Sequence, residues 1–236
     1  MTPWLVRLLC AVILATAISA AQPARQASAV ACPDVEVVFA RGTVDVPPDF
    51  GGVGVSFIAA LRAVVPGRSV GAYPVDYPAS SDFDDRVAFV RTVADGIRNA
   101  QAHIEFTAAN CAGTKIVLGG YSQGAVVTGF SAMAGLPPGI PAEYRSSVPP
   151  PMPPAVAAHV SAVVLFGKPS DRFMRDVNAP PIVVGPLYAG KTAEYCVPGD
   201  TVCDGSPFAG RPNALHSLYS VNGMTLAAAG FVRSRL

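Results

Sequence analysis

Lys115-Ile116-Val117-Leu118-Gly119-Gly120-Tyr121-Ser122-Gln123-Gly124 is the stretch on which the reading of this 236-residue chain turns. The apolar run Lys115 to Leu118 predicts a buried strand, and a serine set between glycines directly after it predicts a tight turn into a helix. A serine in so sharp a turn sits in strained backbone. Gly120 and Gly124 remove the Cβ atoms that would collide where strand and helix converge. The Ser122 hydroxyl then stands exposed above the carboxyl end of a sheet, and the following helix aims its N-terminus at the same point. A bare G-x-S-x-G arises often by chance in a chain rich in Gly and Ser; the strand before it and the helix after it are what make it read as a nucleophile elbow.

Outward from that turn, the same alternation of element types recurs. Val35 to Ala40, Ser69 to Val75 and Ser161 to Phe166 read as further buried strands, and Thr192 to Cys196 is strand-like. Between them lie segments of helical length: Val53 to Val65, Phe83 to Ala109, Gln123 to Ala134, and a C-terminal stretch from about His216 to Arg235. Strands alternating with helices predict an α/β fold with a parallel sheet covered on both faces, because parallel neighbours need a crossover. Ser81-Asp82 reads as the N-cap of the second helix, with Asp84 and Asp85 at its positive end. Leu136 to Pro154 is too rich in proline for helix or inner strand and reads as a surface loop inserted into a single domain.

A serine needs a base, and the histidines are His103, His159 and His216. His103 precedes the serine in a helical segment and reads as structural, as does His159, which leads into a strand. His216, after a loop containing Pro207, Gly210 and Pro212, is the candidate base in the chain order serine, acid, histidine. Of the acids between Ser122 and His216, Asp200 follows a strand-like run in Val197-Pro198-Gly199-Asp200 and is the candidate orienting carboxylate, with Asp204 as the alternative. Leu215, Leu218 and Phe208 fit either an apolar wall for an acyl chain or ordinary core.

Seventeen Lys and Arg against sixteen Asp and Glu give a net charge of +1 without a basic block, which argues against nucleic acid and a polybasic membrane patch. Arg7, the apolar run Leu8 to Ile18, and small residues up to Ala31 read as a secretory signal peptide and short leader over 1–31, with the mature domain over 32–236. The run is too short for a stable membrane span. Cys32 after Val30-Ala31 leaves a lipoprotein as a second reading. Loss of Cys10 with the leader leaves Cys32, Cys111, Cys196 and Cys203, an even set that predicts two disulfides in an oxidising compartment. Three connectivities are open; the short spacing makes Cys196 with Cys203 the natural local pair.

Together these landmarks resemble the cutinase family, and more closely its secreted bacterial branch. They are Cys32-Pro33-Asp34, Val38-Phe39-Ala40-Arg41-Gly42-Thr43, Gly119 to Gly124, Leu165-Phe166-Gly167, and Cys196-Val197-Pro198-Gly199-Asp200-Thr201-Val202-Cys203 followed by His216. The resemblance runs from about Cys32 to the C-terminus. It implies an α/β-hydrolase with a central five-stranded parallel sheet flanked by helices and no large lid. It further implies the pairings Cys32 with Cys111 and Cys196 with Cys203, a triad of Ser122, Asp200 and His216, and an oxyanion hole from Gln123 and Thr43. Thr43 stands where fungal members carry serine. The 136–154 loop and the interval from Asp200 to His216 are longer than in the fungal pattern, which bears on substrate preference.

The resulting expectation is a secreted monomeric serine esterase, extracellular or in the cell envelope. It would cleave cutin-like polyesters, short to medium acyl esters or lipids through an acyl-enzyme, with no cofactor and no metal. Two alternatives stand beside it: an acyltransferase using the same triad, and a secreted binding or antigenic protein with a vestigial site.

Overall fold

Each inner strand of a parallel sheet must bury side chains on both faces, and the two faces are resolved cleanly in the computed structural model, which describes residues 32–47, 49–137, 139–140, 142–207 and 211–236. The strands are β1 (Val35–Ala40), β2 (Val70–Pro74), β3 (Lys115–Tyr121), β4 (Val160–Phe166) and β5 (Thr192–Tyr195). They pair in the order β2-β1-β3-β4-β5, all parallel. Helices α1 (Gly51–Val64), α2 (Arg86–Asn110), α3 (Gln123–Ser131), α4 (Ala142–Arg145), α5 (Asp171–Asp176), α6 (Pro186–Ala189) and α7 (Met224–Arg233) complete the chain.

Residues alternate between two cores. Val35, Val37, Phe39, Val117, Val164 and Phe166 pack under α1 and α7, against Phe57, Leu61, Ala228 and Val232. Val38, Ala40, Ile116, Leu118, Val163 and Leu165 pack under α2 and α3, against Ile97, Ile104, Ala125 and Val127. The chain moves from β1 outward to β2 and then back across β1 to β3, so the strand order reverses between β1 and β3. Loops leaving those two strands diverge there, and such a switch point is where open α/β sheets bind ligands.

Three expectations need correction. The N-cap of α2 is Asp85, whose carboxylate accepts the Ala88 N–H at 2.9 Å. Asp82 instead accepts the Asp85 N–H and caps the preceding turn. The C-terminal stretch is broken: a 3₁₀ turn, Ala214–Ser217, is separated from α7 by Gly223 at φ 85°, a left-handed residue that no helix continues through. Within 136–154 a short helix forms, α4, and Ile140 and Met152 are buried, so the segment is not merely a surface loop. Leu218 is exposed beside His216 and Leu215 half-buried against core; Phe208 and the 1–31 leader lie outside the described residues. Among the described residues no helix is long and apolar enough to cross a membrane.

Glu36 places a carboxylate on an inner face of β1, where α2 satisfies it. His103 Nε2 lies 3.2 Å from its Oε2, the Thr107 hydroxyl donates to the same oxygen at 2.6 Å, and the His103 ring stacks on Tyr73. Burial alone would raise the Glu36 carboxyl, but hydrogen bonds from His103 and Thr107 outweigh it and hold the group below the usual glutamate range. A carboxyl depressed by folding stabilises above its unfolded pKa, about 4.3, and loses that contribution as pH falls through the folded value. Glu36→Gln is therefore expected to lower the melting temperature by a few degrees near neutral pH and to shrink the drop on acidification below about pH 4. Circular-dichroism melts across pH check this; equal acid drops in parent and variant would exclude Glu36 as a source.

Candidate active site

Ser122 joins β3 to α3 at φ 54°, ψ −119°, in the left-handed half of backbone space that a residue with a Cβ enters only under constraint. The constraint is local packing. A Cβ on Gly124 would run into the Ala40 carbonyl, and one on Gly120 into the Gly124 carbonyl, so only glycines let β1, β3 and α3 close this tightly. The Ser122 N–H donates to the Phe166 carbonyl at 2.9 Å, continuing the β3–β4 ladder up to the turn. Gln123 opens α3, where first-turn N–H groups have no intrahelical acceptor and the helix dipole is positive.

His216 reaches the serine from the 3₁₀ turn. Its Nε2 lies 2.8 Å from Ser122 Oγ and its Nδ1 2.8 Å from Asp200 Oδ2. A carboxylate only accepts, which assigns the ring proton to Nδ1 and leaves Nε2 to accept from the serine hydroxyl. Both Asp200 and His216 are buried. The Tyr121 hydroxyl donates to the His216 backbone carbonyl at 2.6 Å and fixes the turn from below. Gly167, at φ 53°, clears the ring: a Cβ there would lie 2.9 Å from His216 Cε1.

Asp200 sits in the turn closed by the Cys196–Cys203 disulfide, whose Cα atoms are 5.8 Å apart. Its Oδ1 accepts the Val202 N–H at 3.0 Å, and its Oδ2 accepts from both His216 and the Tyr219 hydroxyl, the latter at 2.5 Å. Burial would raise this carboxyl, but the donors from His216, Tyr219 and Val202 overcome it and hold Asp200 below the usual aspartate range, so it stays ionised. Asp204 is elsewhere: its carboxylate accepts from the Ser206 N–H and hydroxyl at 2.8 and 2.9 Å, on the surface. The second disulfide joins Cys32 to Cys111, tying the start of β1 to the end of α2.

Thr43 follows β1, and the loop carrying it passes beside the serine, since a Cβ on Gly42 would lie 3.6 Å from Ser122 Cβ. A strap over residues 77–80 braces this loop. Arg41 Nη2 donates to the Tyr77 and Pro78 carbonyls at 2.9 and 3.1 Å, and the Val44 N–H donates to the Ala79 carbonyl at 3.0 Å. The buried Gln123 side chain donates to the Ser80 carbonyl at 3.2 Å, so one strap touches the loops of both Thr43 and Gln123. Val44 is itself at φ 42°, strained for a β-branched residue. A cavity of about 340 Å³ lined by Lys168, Arg172 and Glu194 also opens near the Cys196–Cys203 disulfide, but its lining includes neither Ser122 nor His216.

Tyr219 and Tyr121 are the contributors that sequence reading missed. Tyr219 lies one helical turn beyond His216 in His216-Ser217-Leu218-Tyr219, a spacing that could have drawn attention to it, yet an aromatic there reads as core.

The cutinase family model matches residues 31–236. The probable carboxylesterase Culp5 of Mycobacterium tuberculosis is 49% identical over 180 residues, covering 76% of this chain and 95% of the relative. The carboxylesterase Culp1 of Mycobacterium bovis is 41% identical over 243 residues, covering 100% of this chain and 98% of the relative. Among solved structures, the Trichoderma reesei cutinase in complex with a phosphonate inhibitor superposes with a TM-score of 0.60 at 32% identity, covering 86% of this chain and 76% of that one.

Proposed function

This chain belongs to the cutinase family of carboxylic ester hydrolases, and from that premise we propose that it cleaves esters through an acyl-enzyme on Ser122. The observation that carries the reading is the continuous relay Ser122 Oγ, His216, Asp200, with 2.8 Å at each joint. His216 Nε2 takes the hydroxyl proton as Ser122 Oγ bonds the ester carbonyl carbon. The oxygen that becomes negative is held by N–H groups of Gln123 and Thr43. Collapse of the tetrahedral species breaks the bond to the alcohol, which leaves with the proton from His216. Water, deprotonated by the same ring, then releases the acid and returns Ser122. Asp200 keeps the imidazole in the Nδ1–H tautomer and balances the imidazolium.

We further propose that residues 1–31 are a removed leader and that 32–236 is the secreted catalytic domain. Two disulfides support an oxidising compartment. Likeness to carboxylesterases and to a cutinase supports carboxylic esters as the substrate class, within which we propose short to medium acyl esters, polymeric or lipid. A panel of esters of rising acyl length, with free acid and transfer products both quantified, tests this. Free acid from the short to medium chains is expected; preferential transfer to an added alcohol would make the chain an acyltransferase.

A further inference from the structure

Resting on the proposed triad, the geometry points to Tyr219 as a positioning residue that holds the Asp200 carboxylate in the orientation His216 requires. Tyr219 is fully buried, so it cannot touch an ester. Its hydroxyl donates to Asp200 Oδ2 at 2.5 Å and accepts the Val197 N–H at 3.1 Å. One hydroxyl thus binds both the acid and the backbone at the start of the loop that carries it. The nearby Cys203 Sγ, 3.2 Å from both Asp200 Oδ2 and the Tyr219 oxygen, is a disulfide sulfur with no proton to give. Among the described residues, the donors on Asp200 Oδ2 are therefore His216 and Tyr219, sharing one oxygen.

That sharing has a chemical consequence. A second donor on Oδ2 draws off part of the negative charge that would otherwise favour the imidazolium, and it also stops the carboxylate from rotating away from the ring. The other titratable groups facing this cluster do not compete. Burial, and next the Asp200 carboxylate it faces, push the Tyr219 phenol far up. Tyr121 is likewise raised by burial, then by Asp45 and Asp200, and its hydroxyl is committed to the His216 carbonyl. Both phenols keep their protons across the working range. The rings of Tyr121 and Phe166 pack on Tyr219, and His216 meets it edge-on, which holds the Tyr219 ring with its oxygen beside Asp200.

Tyr219→Phe keeps the ring and removes only the donor. The acid limb of kcat/KM should move up by roughly half a pH unit to one unit, because one pKa unit corresponds to a tenfold change in differential interaction. Plateau kcat should fall about tenfold, the scale of one modest hydrogen bond, with KM unchanged. Site-specific replacement of Tyr219 by a fluorotyrosine, whose more acidic hydroxyl donates more strongly, should move the limb the other way and keeps the test available if the phenylalanine variant folds poorly. Limbs that coincide with the parent in the variants that fold, or that move in the opposite senses, would overturn the assignment. Measuring Ser122→Ala in parallel separates the two levels: if it is inactive while the limbs stay fixed, the triad stands and only Tyr219 loses its role.

Discussion

Replacing Ser122 with alanine is expected to lower ester turnover by up to about 10⁶, the scale on which removal of a triad nucleophile is felt. The fold should survive, for a specific reason. The strained φ of 54° is imposed by β1, β3 and α3 closing around Gly120 and Gly124, and alanine carries the same Cβ into the same backbone. Only the Oγ bond to His216 Nε2 is lost. Loss of activity with an unchanged melting temperature is the predicted pair of observations; a variant retaining a tenth of the parent rate would place the nucleophile elsewhere.

The second large effect belongs to Asp200. Asp200→Asn should cost on the order of 10⁴ in turnover. The carboxylate receives three donors, from His216, Tyr219 and Val202, and offers none. An amide must turn its NH₂ toward at least one of them. If it faces the ring, His216 adopts the tautomer with its proton on Nε2, which can no longer accept from Ser122. Asp204→Asn should leave turnover within a few-fold of the parent, because that carboxylate caps its own surface turn. Steady-state kinetics on the two purified variants decide between them, and the reverse ranking would move the acid to Asp204.

Much of the fold was legible because parallel strands buried on both faces leave continuous apolar runs. Val35 to Ala40 reads with its observed bounds, and Lys115 to Leu118 falls three residues short because Gly119 and Gly120 break the strand signature before Tyr121. The elbow was legible from its glycines, whose absent Cβ atoms are required by clashes with backbone. What escaped depends on tertiary contact. Asp82 and Asp85 are equally good caps by type, and which one serves α2 is decided by the turn before it. Met152 lies among prolines yet is buried, because residues 147–152 fold back onto α2, where Arg98 donates to the Ser147 carbonyl and Gln101 to the Pro150 carbonyl. Tyr219 was invisible for the same reason. Its hydroxyl matters only once the Cys196–Cys203 turn brings Val197 and Asp200 to it.

The strap over residues 77–80 illustrates how the fold carries chemistry it does not itself perform. It contributes carbonyls to Arg41, Val44 and Gln123, and so couples the loop after β1 to the first residue of α3. On the proposed mechanism the Thr43 and Gln123 N–H groups are the oxyanion donors, and bracing of this kind would hold them ready without reorganisation as charge develops.

The most direct measurement of the central claim is peptide mapping by mass spectrometry after treatment with a p-nitrophenyl alkylphosphonate. Its phosphorus is attacked only by an activated oxygen nucleophile, and p-nitrophenolate departs. Inactivation should track incorporation of one phosphonyl group per chain, located on Ser122, and His216→Ala should abolish the labelling. A label on any other residue, or complete inactivation with Ser122 unmodified, would contradict an acyl-enzyme mechanism at this serine.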